Sequence, residues 1–207
     1  MIPLRDENPT KRFPWITLLL IGVNVGVFLD QGFLGAHRFD WYVEHYGVIP
    51  AALIGRNGWH DIPTLFSGMF MHGGFLHLLG NMWFLWIFGD NVEEKLGKTK
   101  FLIFYLTVGL LATLAHVAAA PGSKLPLVGA SGAIAGVLGA YFLFFPFHRI
   151  LTLVPIFVFI TTIRIPAMVF LGLWFLMQIA YSSFGGNVAW WAHIGGFLSG
   201  LLLAKLF

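Results

Sequence analysis

Six stretches of this chain read as bilayer-crossing helices, and no other feature limits so sharply what the chain can fold into. A span takes roughly 20 apolar residues, within a range of about 17 to 25. Read on that basis, the runs are Trp15 to Phe33, His72 to Phe88, Phe101 to Ala120, Ser131 to Phe145, Pro166 to Phe184 and Val188 to Phe207. One further stretch, Ile150 to Ile163, is apolar but short, is interrupted by Pro155 and is rich in β-branched residues. It reads as an interfacial connection and not as a span. The expectation is an all-α membrane protein: a six-helix bundle forming one domain over residues 1–207, with a short amino-terminal segment 1–14 and a long loop over about 34–71.

Composition agrees. Only 10% of the residues are charged against 58% hydrophobic, and the mean hydropathy is +0.82, whereas about a quarter of a soluble domain is charged. With no cysteine, disulfides, thiolate metal sites and a cysteine nucleophile are excluded. The net charge of +3 is small and its basic residues flank apolar runs, so the expected surroundings are lipid, with no nucleic-acid partner.

Those basic residues also give an orientation. With six spans, Arg5, Lys11, Arg12, Lys95, Lys98, Lys100, Arg149, Arg164 and Lys205 share one side, nine of the twelve in the chain. Arg38, Arg56 and Lys124 fall on the other. Positive residues favour the cytoplasm, which places both termini there. The first apolar run is long enough to stay in the membrane and shows no small-x-small cleavage site, so it reads as a helix and not as a removed signal. A multi-pass protein of a prokaryotic plasma membrane is the expectation.

In this topology the second, fourth and sixth helices all enter from the outer face, and their first residues lie at one depth. His77 and Asn81 on the second helix are four residues apart and so share a face. The fourth helix presents Ser131, and the sixth presents His193 about one turn in. Polar side chains within a span are costly and usually point into the bundle or a wet cavity. The set is chemically complementary: a hydroxyl needing a base, an imidazole able to be one, and two donors able to meet a developing oxyanion. Small residues let the helices approach. Gly132, Gly136 and Ala140 form one four-residue stripe, and Ala192, Gly196, Gly200 and Ala204 form the other.

Taken in order, these residues resemble the rhomboid family of intramembrane serine proteases over nearly the whole chain. The Gly-x-Ser-Gly motif is Gly129-Ala-Ser131-Gly132, and His-x-x-x-Asn is His77 to Asn81. Ala-His-x-x-Gly-x-x-x-Gly is Ala192-His193-Ile-Gly-Gly196-Phe-Leu-Ser-Gly200, and Gly-x-x-x-Glu-x-x-x-Gly is Gly89, Glu93 and Gly97. The resemblance implies Ser131 as nucleophile, His193 as base and then acid, and an oxyanion hole from the Ser131 N–H with His77 and Asn81. Gly129, Gly132, Gly196 and His72 would support the site, without metal or cofactor. It also implies that transmembrane proteins are the substrates, that the fifth helix is a lateral gate and that the Gly185-Gly186 turn caps the site.

There are departures. Where several rhomboids stack an aromatic residue on the histidine, this chain has Ala135, and the Trp-Arg pair of the first long loop has only Trp59-His60 near it. Asn24 and Gln178 read as interhelical hydrogen-bond partners. His72, His77, His116 and His193 all fall toward the outer side, but no His-Glu-x-x-His is present to mark a zinc protease. No aspartate pair lies mid-span for an aspartyl protease, and no internal repeats suggest a transporter. A catalytically silent relative that binds membrane helices is the alternative.

Overall fold

The computed structural model describes residues 1–32, 35–55, 58–156, 159–183 and 188–207. Phe33, Arg56, Phe184 and the Gly185-Gly186 turn, all used in the sequence reading, lie outside the described residues.

The architecture is a helical bundle with a small sheet at one end. Helix α1 is Trp15–Gly32; α2 (Ala36–Tyr46), α3 (Pro50–Leu53) and α4 (Thr64–Ser67) occupy what the sequence suggested was a long loop. Helices α5 (Phe75–Leu96), α6 (Lys98–Ala119), α7 (Ser131–Phe144), α8 (Ala167–Ser182) and α9 (Trp190–Leu203) follow. Among the described residues, α1 and α6 are long and apolar enough to cross a bilayer, and α7, α8 and α9 are shorter apolar helices. The second apolar run starts as a helix at Phe75 and not at His72. It continues to Leu96, past Phe88, because Asp90, Glu93, Glu94 and Lys95 end the hydropathy without ending the helix.

Helix α7 lies at the centre, packed against α5, α6, α8 and α9. Every residue from Gly132 to Tyr141 is buried. Its contact with α9 is backbone on backbone. A Cβ on Gly196 would collide with the Gly132 carbonyl oxygen, one on Gly200 with that of Gly136, and one on Gly139 with that of Phe197. Both stripes read from the sequence are therefore in the contact, with Gly139 added to them.

Helix α1 is fastened by the Gly89, Glu93 and Gly97 motif. The Glu93 carboxylate, 3% exposed, accepts from the N–H groups of Ile16 and Thr17 at 3.0 and 2.8 Å and from the Thr17 hydroxyl at 2.8 Å. It thereby satisfies orphan donors at the helix start, where a negative charge also meets the favourable end of the helix dipole. Gly89 lets α1 approach, since a Cβ there would stand 2.9 Å from Thr17 Cγ2. Gly97, at φ +83°, makes the sharp turn from α5 into α6.

At the end of the bundle away from Ser131, β1 (Ile2–Asp6), β2 (Arg149–Ile156) and β3 (Phe159–Pro166) form an antiparallel sheet in that order. Ile2 pairs with Leu153 and Arg149 with Pro166. The described parts of the stretch from Ile150 to Ile163 are thus two antiparallel strands, and residues 2–6 of the amino-terminal segment are a third. Trp83 Nε1 donates to the Pro3 carbonyl at 2.6 Å, tying the sheet to α5. Asp6 Oδ2 accepts from the Tyr141 hydroxyl at 2.7 Å and from Asn91 Nδ2 at 2.9 Å. Burial, aided by the nearby charge of Asp90, pushes the Asp6 carboxyl up to about 7 against the opposing Tyr141 hydrogen bond.

Candidate active site

Ser131 is the first residue of α7. The chain reaches it through Gly129 at φ +126°, a conformation that L side chains rarely adopt. Space makes the same demand: a Cβ on Gly129 would lie 2.8 Å from Cε1 and Nε2 of His77 and 3.7 Å from Asn81 Nδ2. One glycine therefore turns the chain into α7 and lets the backbone sit against the α5 residues His77 and Asn81. The first N–H groups of α7 have no acceptor within the helix.

His193 stands in the first turn of α9, and its Nε2 is 2.8 Å from Ser131 Oγ. The two side chains are 62 residues apart in sequence. The glycine contacts between α7 and α9 bring them within hydrogen-bond distance. On its other edge, His193 Nδ1 is 2.8 Å from Gln178 Oε1 on α8. Gln178 is 3% exposed, and its Nε2 donates to the Trp174 carbonyl at 3.1 Å. The Trp174 and His193 rings lie 6.0 Å apart between centroids, tilted by 38°.

The α5 side holds donors awaiting an acceptor. Among the described residues, Asn81 Nδ2 is buried without a hydrogen-bond partner. His77 Nδ1 accepts from the Gly73 N–H at 3.4 Å, a long contact that leaves Nε2 turned toward Gly129. His72 is fully buried, its backbone N–H and carbonyl paired with the Gln31 amide at 3.2 and 3.3 Å. Its ring nitrogens have no partner, and the ring lies 5.2 Å from that of His77. His116 Nδ1, on α6, is also buried and unpartnered.

The residues singled out from the sequence thus divide. Ser131 and His193 are joined directly. His77, Asn81 and Gly129 come together beside them, and Gly132 and Gly196 meet in the helix contact that sets the spacing. His72 touches the site through the His77 ring. Gln178, which the sequence marks only as a glutamine inside an apolar run, is the group that meets the second edge of His193. Two cavities, of about 240 Å³ beside Glu93 and about 450 Å³ against α1, lie away from these residues.

Comparison with known proteins gives this arrangement its class. The family model for the rhomboid domain matches residues 59–207. Rhomboid protein 1, mitochondrial, of Saccharomyces cerevisiae is 27% identical over 225 residues, covering 90% of this chain and 62% of its own length. Rhomboid protease GluP of Bacillus subtilis is 32% identical over 127 residues, covering 61% of this chain and 24% of its own length. Presenilin-associated rhomboid-like protein, mitochondrial, of Bos taurus is 31% identical over 147 residues, covering 67% of this chain and 36% of its own length.

The chain belongs to the rhomboid family and is an integral membrane protein with a helical fold. It spans less than two thirds of the length of each of these relatives. Two of them are named as mitochondrial and the third is bacterial, so they do not single out the prokaryotic plasma membrane expected from the sequence.

Proposed function

We propose that the protein is an intramembrane serine endopeptidase that hydrolyses peptide bonds in or beside transmembrane helices of other membrane proteins. The observation that carries this is the 2.8 Å contact between Ser131 Oγ and His193 Nε2, made inside an apolar bundle where two such groups need a reason to be. Membership of a family in which one relative is named a rhomboid protease supports it.

Ser131 Oγ attacks the substrate carbonyl carbon while its proton passes to His193 Nε2. The carbonyl oxygen becomes an oxyanion, met by the Ser131 N–H, by Asn81 Nδ2 and by His77, at the positive end of the α7 dipole. Collapse breaks the C–N bond, and the proton on Nε2 goes to the departing amine. Water then attacks the acyl-serine, gives a proton to Nε2, and the Ser131 oxygen leaves and takes that proton back.

A helical substrate backbone has its carbonyls hydrogen-bonded and shielded, so the cleaved segment first unwinds. Substrates are therefore those with Gly or Pro near the cut. By the family resemblance, a small residue precedes the cleaved bond. The same reading takes residues 1–207 as one domain of six spans with both termini cytoplasmic, supported by the nine-to-three bias of basic residues. Single cysteines placed in this cysteine-free chain test that orientation by labelling from either side.

The function is tested by cleavage of a transmembrane reporter in detergent or liposomes. Ser131→Ala and His193→Ala each lower the rate by about 10³-fold or more, and a chelator changes nothing. Cleavage that survives Ser131→Ala overturns the proposal. A native chain that retains the reporter helix and never cuts it supports the silent, helix-binding alternative.

A further inference from the structure

We infer that Gln178 is the positioning residue for His193: it fixes the imidazole tautomer and ties the ring to α8. This rests on the hydrolytic reading of the same site. The argument begins with the amide. Gln178 Nε2 donates to the Trp174 carbonyl at 3.1 Å. Only a donor can face a carbonyl, so the group turned to His193 is the acceptor Oε1, at 2.8 Å from Nδ1. An acceptor there requires the proton on Nδ1. Nε2 then carries the lone pair, and it is Nε2 that stands 2.8 Å from Ser131 Oγ.

The glutamine is thus an adaptor between backbone and base. Trp174 fixes the amide, the amide fixes the ring, and the ring presents its basic nitrogen to the nucleophile. When Nε2 takes the serine proton, the Nδ1–H of the imidazolium points at an amide oxygen that is already oriented. Ala135 contributes no ring on which the imidazole could stack, so the hydrogen bond and the flanking Trp174 and Trp190 rings, centroids 6.0 and 6.2 Å away, hold it. The titratable groups acting on His193 are two further histidines, His77 on α5 and His116 on α6. Gln178 is uncharged and keeps its acceptor at every pH at which the protein is folded.

The test compares the full-length native chain with Gln178→Leu and Gln178→Glu, measuring kcat and KM against pH on a transmembrane reporter. Leucine keeps the bulk and removes the acceptor. Its kcat falls roughly 10- to 100-fold, a share of the roughly 10²- to 10⁴-fold that general-base catalysis supplies, while KM stays within about twofold. Glutamate restores the acceptor, so its kcat exceeds that of the leucine variant. Its charge favours the imidazolium, so the acidic limb of its kcat profile moves to higher pH. Equal losses in both variants with an unmoved profile mean a packing role and overturn the inference, as does a leucine variant with native kcat.

A second readout needs neither activity nor a variant of Gln178. The ¹⁵N resonances that disappear in His193→Ala report the tautomer in the native chain. Nδ1–H supports the inference and Nε2–H overturns it. A chain that cleaves nothing but shows Nδ1–H loses the hydrolytic reading and keeps the tautomer assignment. One that cleaves but shows Nε2–H keeps the first and loses the second.

Discussion

Around the last turns of α7 the carboxylates, Glu93 buried and Asp6 and Asp90 half-buried, have donors: Tyr141 and Asn91 serve Asp6, Thr10 and Asn91 serve Asp90, and Ile16 and Thr17 serve Glu93. Around its first turn unpaired groups are more numerous. Seven buried side-chain polar atoms lack a partner among the described residues, and four belong to His72, Asn81 and His116. A buried donor without an acceptor costs roughly 1–3 kcal/mol, and such groups persist where something other than stability retains them. The far end of α7 is therefore built to hold the bundle together. The near end carries the unpaired Asn81 donor close to Gly129 and Ser131, where, on the proposed reading, a substrate oxyanion would pair it.

Removing an unpaired donor from the near end separates these roles most sharply. Asn81→Ala lowers kcat by about 10²- to 10³-fold, the loss typical of one oxyanion-hole donor, while the melting temperature in detergent holds or rises. A fall in both measurements would make Asn81 structural and erase the contrast.

The far end answers in the opposite way. Glu93→Ala strands the Ile16 and Thr17 donors and costs roughly 1–3 kcal/mol for each group left buried and unpaired. The melting temperature drops, and the kcat of the molecules that remain folded, counted by active-site titration, stays native. Gly196→Ala tests the connection between the ends, because its Cβ meets the Gly132 carbonyl. Overpacking of this kind costs about 1–3 kcal/mol, so stability and kcat fall together.

The last effect is that of pH on Asp6. Its carboxyl, near 7 in the fold against 3.8 unperturbed, keeps a proton that the unfolded chain releases. Stability therefore falls as pH rises from about 4 to about 7 and is level above that range. Asp6→Asn keeps an acceptor for Tyr141 and Asn91 and removes this slope. Melting curves at a series of pH values read it directly, and an undiminished slope in the variant would assign it to another group.

How far the sequence reveals all this depends on the range of the interaction. Periodic, local features were legible: α1 starts at Trp15 and α7 at Ser131, as the apolar runs indicate. The two stripes are seen to interlock because small residues at fixed spacing declare themselves. The sheet was not legible, since β1 pairs with a strand nearly 150 residues away and neither strand alternates strongly enough to stand out. The partner of His193 was hidden for a related reason. Gln178 lies 15 residues from it on the preceding helix, and nothing in a one-dimensional pattern says which face of α8 meets α9. The far end of α5 is not legible either, because charge at Asp90, Glu93 and Glu94 ends the apolar run eight residues before the helix itself ends at Leu96.

The glycine contacts between α7 and α9 bear on how lipids can reach the chemistry. Where main chain rests on main chain no compressible layer intervenes, so on the proposed reading the separation of Ser131 from His193 would resist changes in bilayer thickness and lateral pressure. Helix α8 meets its neighbours through side chains, Phe175 stacking on Phe197 at 4.6 Å, while Leu173, Leu176 and Ile179 are exposed. On that reading, load from the membrane would enter along α8 and act on the angle of the imidazole more than on the distance between Ser131 and His193.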